Sequence, residues 1–187
     1  MAVPWMKRSI DPPRQPVAHV YVRALSQAAR RGYLEFGAMR VPCALGRSGI
    51  RALKREGDGA TPRGRFPVRH VFYKLDAPRP RSIFPLSPIR RSDGWCDSPP
   101  DANYNRPVKL PYGASAEHLW RGDGLYDVVA VLGYNDVPRV RNRGSAIFIH
   151  VARQNFEPTE GCIALRAQDL RRLLSRLPRR SVIITRI

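Results

Sequence analysis

The chain has 187 residues, enough for one domain with a sizeable core, and its 43% hydrophobic and 26% charged content is ordinary for a globular protein. Its charge balance is not ordinary: 33 Lys and Arg against 15 Asp and Glu give +18, a field that draws anionic partners. The basic residues are scattered, with no zinc-finger, RNA-recognition or GxxG signature, so nucleic acid is not a favoured partner, and no apolar run approaches the roughly 20 residues of a membrane span.

Along the chain, Met1 to Pro16 carries Pro4, Pro12, Pro13 and Pro16 and reads as a loose leader before one domain over 17–187. Lys7 and Arg8 have no apolar stretch behind them, so this start does not read as a secretory signal. Strand patterns follow over Ala18–Leu25, Tyr33–Phe36, Ala38–Leu45 and Phe66–Leu75. In the last of these Phe66, Val68, Val71 and Tyr73 keep an imperfect period of two. Asp76–Arg106 is too long for an ordinary connection and reads as a covering loop with short pieces of structure. Within it, Trp95 and Tyr104 are packing residues that can also line a groove. Tyr112–Arg121 predicts a short helix with Ser115 as its N-cap.

Leu125–Tyr134 and Ser145–Ala152 are continuous apolar runs, as expected of strands covered on both faces. Asn135-Asp136-Val137-Pro138 and Arg141-Asn142-Arg143-Gly144 supply the turns between them. Leu170, Leu173, Leu174 and Leu177 repeat at helical spacing over Arg166–Leu177, and Pro178 stops that helix. Ser181–Ile187 is a closing strand. The pattern is mainly β with one clear helix.

Chemistry concentrates in Gly144–Leu165. A His ends an apolar strand, a polar loop follows, and Thr-Glu-Gly-Cys precedes another apolar run. Cys162 lies 12 positions beyond His150, a loop able to fold back and bring the two side chains together. A thiol near neutral pH needs such an imidazole to take its proton or to stabilise the thiolate. The coupled pair therefore predicts a thiol that ionises below the value of a free one. Gly161 lets the backbone approach and turn its N–H groups toward a developing oxyanion. The bland readings stay open: a Cys in GCIAL as a small buried hydrophobe, a His in IFIHV as a bonded core residue. Cys43 and Cys96 read as structural. Three cysteines, with no CxxC, argue against a disulfide framework or a metal site. His19, His70 and His118 have no evident partner.

Thr159-Glu160-Gly161-Cys162-Ile163-Ala164-Leu165, with His150 upstream, resembles the catalytic motif of the YkuD-type L,D-transpeptidase family: a strand-end His, a variable loop, then Ser/Thr-x-Gly-Cys and apolar residues. Gly57 to Val68, with Thr61-Pro62-Arg63-Gly64-Arg65-Phe66, is similar to the family's upstream Thr-Pro-x-Gly-x-Phe turn and strand. Together the two stretches extend the resemblance over roughly residues 40–185.

The resemblance implies a β-sandwich-like fold of mixed sheets with a helix after the nucleophile. It also implies acyl transfer on peptidoglycan stem peptides through a thioester on Cys162, without metal or cofactor. His150 would serve as base and then acid, and the Gly161 and Cys162 amides as the oxyanion hole. Tyr134 and Asn135, at a strand exit, are candidates to orient His150 or line the cleft, and Thr159 is a further lining candidate. The family is expected in the periplasm or cell envelope, where anionic polymers are possible further partners. A non-catalytic peptidoglycan-binding domain and a basic nucleic-acid-binding module are the alternatives. Glu160 and Ala164 depart from the more usual His and Arg. Arg153 or Arg166 is the candidate to compensate for the missing Arg, and Glu160 is expected to point away from Cys162.

Overall fold

The computed structural model describes residues 16–187. Apart from Pro16, the expected leader over 1–16 lies outside the described residues. The strands are β1 (Ala18–Ala24), β2 (Arg31–Phe36), β3 (Met39–Ala44), β4 (Ile50–Arg51), β5 (Thr61–Pro62), β6 (Gly64–Tyr73), β7 (Leu86–Pro88), β8 (Asp93–Cys96), β9 (Arg106–Lys109), β10 (Ala116–His118), β11 (Val128–Leu132), β12 (Phe148–Val151) and β13 (Ile163–Leu165). Helix α1 (Ala167–Arg176) and β14 (Ser181–Arg186) complete the chain. The fold is mainly β, built of mixed sheets with one α-helix among the described residues, as the sequence predicts.

The main sheet runs β11-β12-β13-β3-β2-β1-β14-β6-β7. β6 also pairs antiparallel with β11, so the sheet curls until its ends meet. Closure of this kind removes exposed strand edges. Parallel pairs, β1 with β14 and β12 with β13, alternate with antiparallel ones. One face gathers Val20, Val22, Leu34, Val71, Ile149, Ile163, Leu165 and Ile183 into the principal core, joined by Leu170, Leu173 and Leu174 of α1. That is the stripe whose spacing predicted the helix. Burial of such side chains, roughly 1.5–3 kcal/mol each, is what holds α1 on β11 and β12.

A second, smaller sheet, β10-β8-β9, covers part of the other face. The layer between contains Ile89, Trp95, Leu119, Tyr126, Val129, Val131, Phe148 and Cys162. Alternation along β11 and β12 therefore serves two cores, which is why both strands read as unbroken apolar runs.

The helix expected over Tyr112–Arg121 is absent. Instead β10 pairs antiparallel with β8, Ala116 opposite Cys96 and His118 opposite Gly94. The segment lacks an apolar stripe at helical spacing, and the β8 edge satisfies its backbone. Asp76–Arg106 is a covering segment that contains β7 and β8. β12 starts later than the apolar run from Ser145, because Ala146 adopts φ +51 and breaks the extended path.

Candidate active site

In the parallel register of β12 and β13, His150 lies beside Ala164. Cys162 precedes Ala164 by two residues, and alternate residues of a strand share a face, so the imidazole and the thiol project from the same side. Ala164 is 1% exposed and adds only a methyl group between them. Both side chains line one cleft of about 630 Å³ with Lys54, Glu117, Arg121, Tyr126, Ser145 and Arg153. A larger cavity of about 970 Å³, walled by Arg69, Trp95, Tyr112, Tyr134 and Ile147 among others, contains neither.

Local hydrogen bonds fix both groups. The Phe148 N–H donates to Cys162 Sγ at 3.3 Å, and the thiol donates to the Ala146 carbonyl at 3.2 Å. The unusual φ of Ala146 sits at the residue whose carbonyl receives the thiol. His150 Nδ1 lies 2.8 Å from the Val151 carbonyl. A carbonyl only accepts, so Nδ1 carries the proton of the neutral ring and Nε2 keeps its lone pair. The Tyr126 ring stands edge-on to His150 with centroids 5.3 Å apart, and its hydroxyl donates to Glu117.

The turn before the thiol is held by Thr159. Its Oγ1 donates to the Cys162 carbonyl at 2.6 Å and accepts from the Gly161 N–H at 3.1 Å. Its own backbone bonds Leu45 and Arg47, tying the turn to the end of β3. Gly161 has φ +135, and a Cβ there would lie 2.8 Å from the Ala60 carbonyl oxygen. Only glycine fits this close approach. With the Gly161 amide engaged by Thr159, the Cys162 amide is the other of the two donors expected to face an oxyanion.

Burial outweighs the partner effects on both titrating groups. It pushes the Cys162 thiol up to about 12, reinforced by the charge of Glu117 and opposed by the Phe148 N–H and Lys54. It pushes His150 down to about 4, opposed by the bond to Val151. The unliganded pair is therefore a neutral thiol beside a neutral imidazole, contrary to the depressed thiol expected from pairing alone.

Other expected residues lie elsewhere. Tyr134 packs edge-on against Phe66, its hydroxyl donates to the Arg143 carbonyl, and it lines the larger cavity. Asn135 closes the following loop by donating to the Val140 and Gly144 carbonyls at 2.9 and 2.8 Å. Neither lines the cleft with His150. Arg153 does, whereas Arg166 stacks over Phe156 at 5.5 Å. The Glu160 carboxylate, which also lines the cleft, pairs with Arg47 Nε at 2.7 Å. Cys43, Cys96 and Cys162 are all free thiols.

Residues of both cavities escape sequence reasoning: Tyr126 and Glu117 line the cleft, and Asn105 lines the larger cavity. Tyr126 sits inside an apolar run that conceals it, and Glu117 falls in the stretch misread as helix. Asn105 carries no local pattern. Its Oδ1 accepts from Trp95 Nε1 at 2.9 Å and from the Ala146 N–H at 3.1 Å, while its Nδ2 donates to the Tyr134 and Asn135 carbonyls.

Residues 24–184 match the model of a known family, the L,D-transpeptidase catalytic domain (YkuD). No curated protein and no solved structure matches the chain.

Proposed function

The chain belongs to the YkuD family of L,D-transpeptidase catalytic domains, and from that membership we propose cysteine-dependent acyl transfer on peptidoglycan stem peptides, with Cys162 as nucleophile and His150 as base. The observation that carries the reading is the shared face of β12 and β13. It gives the thiol and an imidazole with an unprotonated Nε2 to one cleft.

In the first half-reaction the Cys162 proton passes to His150 Nε2 as sulfur attacks the carbonyl carbon of the third stem residue, a diamino acid such as meso-diaminopimelate. The new C–S bond leaves an oxyanion facing the Cys162 amide. The C–N bond then breaks, and the departing D-Ala amine takes the proton from Nε2. In the second half-reaction an amine or water gives a proton to Nε2 and attacks the thioester. Sulfur leaves and recovers its proton.

Because the unliganded pair is neutral, the thiolate forms with the attack and is not stored beforehand. Arg-rich charge of +18 suits a setting of anionic envelope polymers, consistent with the cell-envelope placement usual for the family. Among the described residues no helix is long and apolar enough to cross a membrane.

Replacing Cys162 with Ala removes one sulfur from a cleft and is expected to leave the fold intact. Exchange of the terminal D-Ala of a stem tetrapeptide for a labelled D-amino acid should fall by on the order of 10⁴ or more. Exchange at the wild-type rate in that variant would overturn the reading.

A further inference from the structure

Although the protein carries +18, one part of the cleft wall is acidic. Glu56, Asp97 and Glu117 all line it. Tyr104 donates to Glu56 at 2.5 Å, and Tyr126 donates to Glu117. Asp97 Oδ1 is buried and has no hydrogen-bond partner. A second, separate polar group is also unmatched. Ser145, 6% exposed and lining the same cleft, has a buried Oγ without a partner. Unsatisfied buried acceptors are costly and mark a place where a ligand supplies the missing donors.

The cleft's cations are otherwise committed. Lys54, 3% exposed, pairs with Asp58 at 2.7 Å, and Arg121 and Arg153 share Asp123, Arg153 at 3.8 Å. What the wall lacks is a compact donor with several N–H groups and a positive charge.

We propose that Asp97, Glu117 and Ser145 form an ammonium-binding subsite, with Glu117 the specificity-determining residue that couples arrival of a cationic substrate group to reactivity of Cys162. An ammonium has three donors, and the partnerless acceptors Asp97 Oδ1 and Ser145 Oγ match two of them. Seating it there neutralises the Glu117 charge that acts on the thiol, which with burial is one of the two influences holding sulfur protonated. The other groups acting on the thiol and imidazole are Lys54, Tyr126, Arg121 and Arg153, with Asp123 behind the two arginines. With a substrate that brings no cation to this side, the Glu117 charge still opposes loss of the thiol proton during attack. The cleft thus discriminates through nucleophile activation as well as through contact. For the identity of the substrate this inference rests on the acyl-transfer reading, but its test does not.

The test uses three methanethiosulfonate reagents with ammonium, neutral and sulfonate tails on the full chain, with Cys162 modification quantified by peptide mass spectrometry. Rates are normalised to a free-thiol peptide. The net positive charge of the protein favours the sulfonate reagent, so a subsite effect stands out against it. The expected result is a normalised preference for the ammonium reagent in the wild type. Glu117→Gln, whose amide oxygen still accepts from Tyr126, should cut that preference about tenfold, the effect of removing about one pKa unit of charge interaction. The neutral reagent should react faster in this variant. Asp97→Asn should lower the preference in the same direction and serves if Glu117→Gln does not fold.

A preference for the sulfonate reagent in the wild type, or an unchanged ratio in the folded variants, overturns the subsite. Charge preference without any peptide adduct would count against acyl transfer alone. An adduct with a flat charge ratio would count against this inference alone.

Discussion

At the scale of single residues, burial decides how His150 behaves. Its ring is held near a pKa of about 4 in the folded protein, below the ordinary 6.5, mainly because the charged form loses its hydration. The consequence for stability has a definite sign. Between pH 6.5 and about 4 the unfolded chain takes up a proton that the folded chain refuses, so stability rises with pH through that window. The full contribution is present above pH 6.5 and is lost as pH falls toward about 4, on the order of 3 kcal/mol from a shift of that size. His150→Gln removes the titrating ring, so the acid-side slope of urea-determined stability should flatten in that window. A slope identical to wild type would mean that His150 titrates normally in the fold.

At the scale of elements, the cleft depends on how the covering segment is fastened to the main sheet. Asn105, 7% exposed, holds Trp95 of β8, the Tyr134–Asn135 turn and Ala146 just before β12. Asn105→Ala should cost about 2–4 kcal/mol in chemical denaturation, because it strands buried donors and acceptors on three segments. It should also slow alkylation of Cys162 relative to free thiol, since Ala146, whose carbonyl accepts from the S–H, loses the partner of its own N–H. Unchanged stability would show that these contacts are replaceable.

The same elements explain what the sequence makes legible. β11, β12 and α1 announce themselves because burial imposes apolar runs and a leucine stripe. The His150–Cys162 spacing is readable because two adjacent parallel strands need only a loop between them. Asn105 and Glu117 are not readable, since their roles come from contacts 41 and 9 residues away with residues in loops. β10 was masked by helix-compatible residues whose backbone partners lie on β8, and the thiol's resistance to ionisation depends on a burial that spacing does not reveal.

For the molecule as a whole, the closed main sheet supplies the rigidity, the small sheet supplies the cover, and the proposed His150–Cys162 pair lies where the two meet. On the readings proposed above, a net charge of +18 and a partly acidic cleft would serve two tasks: long-range attraction to anionic surroundings, and local selection of what reaches the thiol. The central claim is that Cys162 carries the acyl group, and mass spectrometry of the intact protein incubated with a stem tetrapeptide tests it most directly. A covalent adduct of the tripeptide acyl group, lacking the terminal D-Ala, is expected on Cys162. The adduct should be absent in Cys162→Ala and strongly reduced in His150→Ala. An adduct mapped to Cys43 or Cys96, or full adduct formation without Cys162, would contradict it.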